Sequence, residues 1–477
     1  HLCIGQVYAF SVFKTPLVEH FNTGGVAIGW IFSLGIAMLG ISAAIGGTWV
    51  EKVGPRKSML TAGACWVAGF FIGALGIGTG QLWLVYFGYG FIGGIGLGLG
   101  YISPVSTLIK WFPDRPGLAT GLAIMGFGGG ALIASPLSNQ LMVWFGGGDQ
   151  PGDLVAGVLP TFLVLAVLYA VVVCLGALVV RVPHPDWTPA GWDPSEQKSH
   201  AMQTDKHVSA KNAIRTPQFW FLWIVLFTNV TAGIGILENA SPMIQDYFAQ
   251  ITPASAAGFV GLLSLANMAG RFVWSSTSDI TGRKSIYIVY LGVGLGLYLL
   301  VASMGDSSLI LFILATFVIL SFYGGGFATI PAYLKDIFGS MQVGAIHGRL
   351  LTAWSAAGIA GPLIINTVLE NRREAGASGP GMYQLSLFIM VGVLAVGFIA
   401  NALMRPVDAK YHATEEEVAE LSAPIQAADS SGAMLETRVN ENGTLHRMAA
   451  VVLTGIVVVG LAYGLFETIV KSLALFN

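Results

Sequence analysis

A single arginine, Arg271, sits inside the apolar stretch Phe259 to Lys284, FVGLLSLANMAGRFVWSSTSDITGRK. At a helical rise of about 1.5 Å per residue it lies roughly 12 Å from Asp279, which marks the water-facing end of the stretch. The hydrocarbon core of a bilayer is about 30 Å thick, so this is near the midplane. A cation there costs at least ~2.5–3.5 kcal/mol unless it is paired or faces a wet cavity. One reading is a structural arginine held by backbone carbonyls. The other is a fixed positive charge waiting for an anion, and intramembrane ionisable residues favour it. Asn267, one turn earlier on the same face, is placed to orient the guanidinium.

Four aromatic residues are candidate walls of an anion site: Tyr8, Tyr101, Tyr323 and Phe327. Tyr101 and Phe327 lie roughly 12–14 Å from the ends of their helices, near the depth of Arg271. A tyrosine hydroxyl donates to a carboxylate while its ring excludes water. The alternative is ordinary packing or an interfacial aromatic belt. Lys14 and Glu238 fall toward the outer ends of the first and seventh spans. Snorkelling to the interface accounts for both, with a coupling role as the other reading.

The elements that position these residues follow from composition. The chain has 477 residues, 54% hydrophobic and 10% charged, with a mean hydropathy of +0.72. Soluble domains carry about 25% charged residues, so a polytopic all-α membrane protein is expected. A net charge of −2 speaks against nucleic acid as a partner. The 63 glycines fit helices packed by small residues. Cys3, Cys65 and Cys174 are scattered and suggest neither a disulfide framework nor a metal site. No nucleophile triad, His/Glu metal cluster or cofactor motif is legible, so no enzyme activity is expected. The chain begins at His1 inside an apolar run, and the start of the first helix, with any targeting signal, is expected to lie ahead of it.

Spans are expected at 1–18, 27–50, 58–78, 82–109, 117–145, 155–180, 218–241, 256–278, 285–304, 309–334, 349–369, 384–404 and 448–475. This divides the chain into a six-helix bundle (1–181), a central loop (182–216), a second six-helix bundle (217–404), an acidic linker with Glu415, Glu416, Glu417 and Glu420 (405–446), and an additional helix (447–477) entering at Arg447. Arg56, Lys57, Lys110, Arg115, Arg181, Arg283, Lys284, Lys335 and Arg349 fall on one side, which the positive-inside rule makes cytoplasmic. The opposite loops hold Asp149, Asp153, Asp246 and Asp306. Arg372 and Arg373, beside Glu370 and Glu374, are the exception.

The halves echo each other. Glu51, Gly54 and Arg56 after the second span and Asp279, Gly282 and Lys284 after the eighth share one constant offset. Tyr101 to Pro104 leading to Lys110 is matched loosely by Thr329 to Pro331 leading to Lys335. Two correspondences at nearly one offset indicate a duplicated six-helix unit. Prolines within such helices leave a carbonyl unpaired, which is tolerable where the helix lines a cavity.

The repeated G-x-x-x-[DE]-x-x-G-x-[RK] loop resembles the signature of the major facilitator superfamily. Within residues 1–404, QVYAFSVF (6–13), KWFPDRPGLATGLAIMGFGGGA (110–131), TPQFWFLW (216–223), YGGGFATIPAYL (323–334) and HGRLLTAWSAAGIAGP (347–362) look like the oxalate/formate antiporter family, which is related to monocarboxylate transporters. The resemblance implies two six-helix bundles rocking around a central site, with Arg271 holding a substrate carboxylate. The guanidinium fork suits that through two parallel hydrogen bonds. It also implies an inner gate at Glu51, Arg56, Asp279, Arg283 and Lys284, whose other reading is topogenic charge. Oxalate carriers of the family place a lysine where this chain has Trp354. One cation instead of two favours a monoanion such as formate, lactate or pyruvate. Asn267 stands where related monocarboxylate carriers have an acidic residue, which leaves proton coupling through that pair unsupported.

The expected function is therefore secondary transport of a small carboxylate, with anion exchange preferred, and with an oxalate:formate antiporter or a proton-coupled monocarboxylate symporter as the alternative carriers. A monomer in the plasma (inner) membrane of a prokaryote, with the lipid bilayer as its other partner, is expected. A carrier-fold anion sensor and an anion channel are the competing classes. Gly88-x-Gly90-x-x-Gly93 fits a dinucleotide pattern but lacks a preceding strand, so it reads as helix packing. Gly96/Gly100, Gly126/Gly130 and Gly292/Gly296 read as small-residue contact faces.

Overall fold

The computed structural model describes residues 1–112, 116–148, 151–183, 189, 204, 206–339, 341–418 and 443–473. Among the described residues all regular structure is helical. A 3-10 turn at Ile4–Ala9 leads into α1 (Ser11–Phe21). The first bundle continues with α2 (Gly25–Gly47), α3 (Val53–Thr79), α4 (Leu82–Val105), α5 (Gly121–Gly146) and α6 (Gly152–Val179). The second comprises α7 (Pro217–Tyr247), α8 (Pro253–Thr281), α9 (Arg283–Ser307), α10 (Leu309–Phe338), α11 (Val343–Glu374) and α12 (Gln384–Ala402); α13 (Met448–Lys471) follows. Most of the central loop and of the acidic linker lies outside the described residues. So do Arg115, Asp149 and Glu420, and the side chains of Glu51, Lys110 and Arg447.

Local chemistry sets the helix limits. Thr216 before Pro217 and Thr252 before Pro253 accept hydrogen bonds from Phe219 N and Ser255 N, each at 3.2 Å. A capping hydroxyl with proline at the first helical position starts a helix well. These caps set the starts at Pro217 and Pro253, and the helices run on to Tyr247 and Thr281, past the expected 218–241 and 256–278. The repeated loop places a glycine at positive φ at each junction, 79° at Gly54 where the chain turns from α2 into α3 and 84° at Gly282 at the end of α8. A side chain there would be strained, which explains why both copies of the motif carry glycine.

Three departures from the expected spans have local causes. The first span is not one continuous α-helix, because its start is wound as the tighter 3-10 turn. Gly5 in that turn presses on the backbone of α5 at Phe127. α4 contains a π-turn at Tyr86–Ile92, where Gly88 and Gly90 pack on the Ile72–Gly73 and Ile31–Leu34 segments. α5 is interrupted at Gly129 within the run GFGGGA.

The arrangement is apolar outward and polar inward, as a bilayer demands. Ile45, Trp83, Leu314 and Val396 are exposed, whereas Arg271, Glu238, Asn239 and Asn267 are buried. The bundles meet along two seams. Ser355 of α11 donates to Ala37 O of α2 at 2.7 Å. Ser264 of α8 donates to Gly128 O at 2.7 Å and accepts from Leu132 N at 2.9 Å, both on α5.

The glycine faces divide by contact. A Cβ on Gly96 would lie 2.6 Å from Ala62 O and 2.7 Å from Trp66 N. Gly130 abuts Gly5. The Gly292/Gly296 face is not a tight one: Gly296 has open space. Replacing Gly96 with Val overpacks a backbone contact at a cost of about 1–3 kcal/mol, so the purified protein is expected to melt at lower temperature in detergent. Gly296→Ala leaves the melting point unchanged. Equal melting of Gly96→Val and wild type contradicts the packing described.

Candidate functional site

Arg271 is fully buried between the bundles. Gly128 of α5 makes room for it, since a Cβ there would stand 2.7 Å from Arg271 Nε. Asn267, one turn back on α8, accepts from Nε at 2.9 Å. Nη1 crosses to the first bundle and donates to Ile124 O at 3.1 Å. The third nitrogen, Nη2, has no partner among the described residues. The guanidinium is thus partly the structural arginine of the first reading, held by one carbonyl and one amide, and partly a free donor.

Rings from both bundles surround it. Its carbon lies 5.6 Å from the Phe127 ring centroid and 5.3 Å from that of Phe327, within cation–π range. Trp354 of α11 packs on Phe327 with centroids 4.3 Å apart, and on Tyr101 at 5.3 Å. Tyr101 also contacts Phe127 and Phe327. Tyr8 sits edge-on to Phe127 at 5.1 Å, and its hydroxyl is hydrogen-bonded to that of Tyr323 across the two bundles. The structure brings together Arg271, Asn267, Tyr8, Tyr101, Tyr323, Phe327 and Trp354.

The electrostatics of this cage are one-sided. Arg271 Nη2, Trp354 Nε1 and Asn267 Nδ2 are buried donors without partners among the described residues, and so is the Tyr101 hydroxyl. Each such group costs about 1–3 kcal/mol. A cluster of donors around one fixed positive charge suits a small ligand rich in acceptors and carrying negative charge.

A second polar cluster lies toward the face opposite the repeated basic loops. Lys14 of α1 and Glu238 of α7 form a buried ion pair at 2.7 Å. Lys14 Nζ also donates to Asn239 Oδ1 at 2.8 Å and Asn366 Oδ1 at 3.0 Å. Asn239 and Asn366 donate in turn to Glu238 Oε2 at 2.6 and 3.3 Å. The snorkelling reading of Lys14 and Glu238 is therefore incorrect: neither head reaches an interface, because each is the other's counter-charge. Nearby, Glu370 accepts from Val26 N at 3.1 Å, tying α11 to the start of α2.

The expected inner-gate residues are dispersed. Arg283 pairs with Asp279 and lies 3.4 Å from Asp336, joining α8, α9 and α10 of one bundle. Lys284 donates to Ala402 O and Met404 O, both at 2.9 Å, fastening α9 to the end of α12. Arg56 is exposed. Sequence reasoning missed Phe127, Gly128 and the Ile124 carbonyl, although all three fall inside the stretch 110–131 that carries the family resemblance. It also missed Asn239 and Asn366, whose only signal is their place in apolar spans.

Known proteins place these features in a wider context. The profile of the Major Facilitator Superfamily matches residues 2–362 and 235–476. The oxalate:formate antiporter of Oxalobacter formigenes is 27% identical over 75% of this chain and 79% of its own. The apicoplast pyruvate carrier 1 of Toxoplasma gondii is 22% identical over 73% and 71%. The crystal structure of the E. coli fucose:proton symporter superposes with a TM-score of 0.57 at 16% identity, covering 85% of this chain and 98% of that one. With the profile spanning both bundles and a solved member sharing the fold, the chain belongs to the Major Facilitator Superfamily.

Proposed function

We propose that this membrane transporter carries a small carboxylate by alternating access, with Arg271 as the carboxylate receptor. The observation that carries the reading is the buried, unpartnered Arg271 Nη2 inside an aromatic cage built by both bundles. A monocarboxylate such as formate, lactate or pyruvate fits best, because the cage holds one cation and Trp354 stands where oxalate carriers are expected to have a second. The names of the relatives, an oxalate:formate antiporter and a pyruvate carrier, support carboxylates as the class. Anion exchange is favoured over proton symport, since the described partners of Arg271 include no carboxylate. In this reading the basic face is cytoplasmic and the carrier works as a monomer in a prokaryotic plasma membrane.

The Lys14–Glu238 pair joins the bundles on the far side of the cage. In the proposed cycle it is the contact that holds the opposite face shut and parts when that face opens. Asp279, Arg283 and Lys284 brace the basic end of the second bundle, and Glu51 and Arg56 are proposed as their counterparts in the first.

Uptake of labelled formate, lactate and oxalate into proteoliposomes tests the reading. Preloading with the same anion is expected to speed uptake, and a pH gradient alone to do little. Uptake without trans-stimulation that follows the pH gradient points instead to symport, and binding without flux to a sensor. Arg271→Lys keeps the charge but loses the planar fork. A charge-assisted hydrogen bond contributes about 1.5–3 kcal/mol, so affinity is expected to fall about tenfold to a hundredfold. Arg271→Gln abolishes binding, and unchanged affinity in that variant contradicts the proposal.

For the ion pair, Glu238→Gln leaves the Lys14 charge buried without its counter-ion, at a cost of about 3–5 kcal/mol. Its melting temperature is expected to drop, and the double substitution Lys14→Met with Glu238→Met to restore most of the loss. A double variant no more stable than Glu238→Gln argues against a coupled pair.

A further inference from the structure

α13 has no counterpart in the six-plus-six repeat, and most of its surface faces outward: Val451, Val459 and Phe466 are exposed. Its contacts are nevertheless selective. A Cβ on Gly464 would lie 2.7 Å from Leu132 O and 3.1 Å from Ile133 Cα, so α13 touches the backbone of α5 there. Thr468, one turn on, is buried and presses on Gly261 of α8. α13 thus touches both bundles, the first through Gly460 and Gly464 against α5 and the second through Thr468 against α8. Toward its start it stands off from the first bundle, leaving an apolar groove of about 850 Å³ lined by Val452, Ile456 and Val459.

The place of contact is specific. Pro136 has no N–H, so the carbonyl of Leu132, four residues earlier, receives no helical hydrogen bond. That carbonyl is the one Gly464 lies against. The N–H of the same residue is bonded across the seam to Ser264, three residues from Gly261. Leu132 is therefore where α5, α8 and α13 meet. Ser135 adds a further bond across this seam, to Ala257 O at 3.0 Å.

We propose that α13 is a clasp over the α5–α8 seam, holding the half of the seam nearer the opposite face closed and biasing the resting carrier toward that closed state. Separation of the bundles on that face must slide Gly261 away from Leu132, and α13 cannot follow both. The inference goes beyond the carboxylate reading, and its test needs no substrate.

Spin labels at Glu19→Cys on α1 and Gln250→Cys between α7 and α8, in a background without native cysteines, report the separation of the bundles on the opposite face. The full chain with native α13 is expected to give mainly one short distance. Gly464→Leu, which drives α13 off α5, is expected to raise the long-distance share several-fold. Gly261→Leu approaches the same contact from α8 and should do likewise, which preserves the test should one variant fail to fold. Val451→Leu, on the lipid-facing side, serves as the control and leaves the distances unchanged. Distributions identical to the native ones in both contact variants, or an equal shift in the control, overturn the proposal.

Discussion

A permanently charged guanidinium held in the middle of a hydrophobic slab sets the terms for the rest of this fold. Such a charge is tolerated only where hydrogen bonds and polarisable rings replace water. Asn267 and the Ile124 carbonyl satisfy two of the nitrogens of Arg271. Phe127 and Phe327 present ring faces to it. The remaining donor, Nη2, has no partner among the described residues, and the proposed carboxylate site rests on it. Because the carbonyl belongs to one bundle and the arginine to the other, the site is complete only while α5 and α8 are close.

The same logic explains the glycine-rich α5. Gly121, Gly128 and Gly130 each meet a neighbour at backbone or guanidinium range, and the break at Gly129 frees the Gly128 carbonyl for Ser264. Small residues here do more than ease packing: they let the Arg271 arm and the polar seam come close to the α5 backbone. On the other side of the cage, Lys14 and Glu238 solve the desolvation problem differently, by pairing with each other and filling their remaining bonds with Asn239 and Asn366. Lys14 and Glu238 thus compensate each other, whereas Arg271 keeps one nitrogen without a partner among the described residues.

Much of this was legible in the chain itself. Arg271 stands out because one charge in a long apolar stretch is a one-dimensional signal. Gly54 and Gly282 stand out because the repeat fixes their register, and their positive φ values confirm the backbone reason for the motif. Thr-Pro at the starts of α7 and α8 marks a cap that the apolar pattern alone set too late. What was not legible depends on contacts between distant segments. The partnership of Lys14 with Glu238 joins the first helix to the seventh, and no spacing rule connects them. Phe127 looks like any other apolar residue until α5 is laid against the 3-10 turn bearing Tyr8. The contact of α13 with the Leu132 carbonyl, four residues before Pro136, shows only once Gly464 is found beside it.

The central claim is that the carboxylate of the transported anion sits on Arg271 within the aromatic cage. A structure of the full chain determined with lactate or oxalate tests it directly. The expected result is density for the carboxylate bridging to Arg271 Nη2, enclosed by Phe127, Phe327 and Trp354. An anion bound instead at Lys14, or an empty cage at saturating anion, would contradict it.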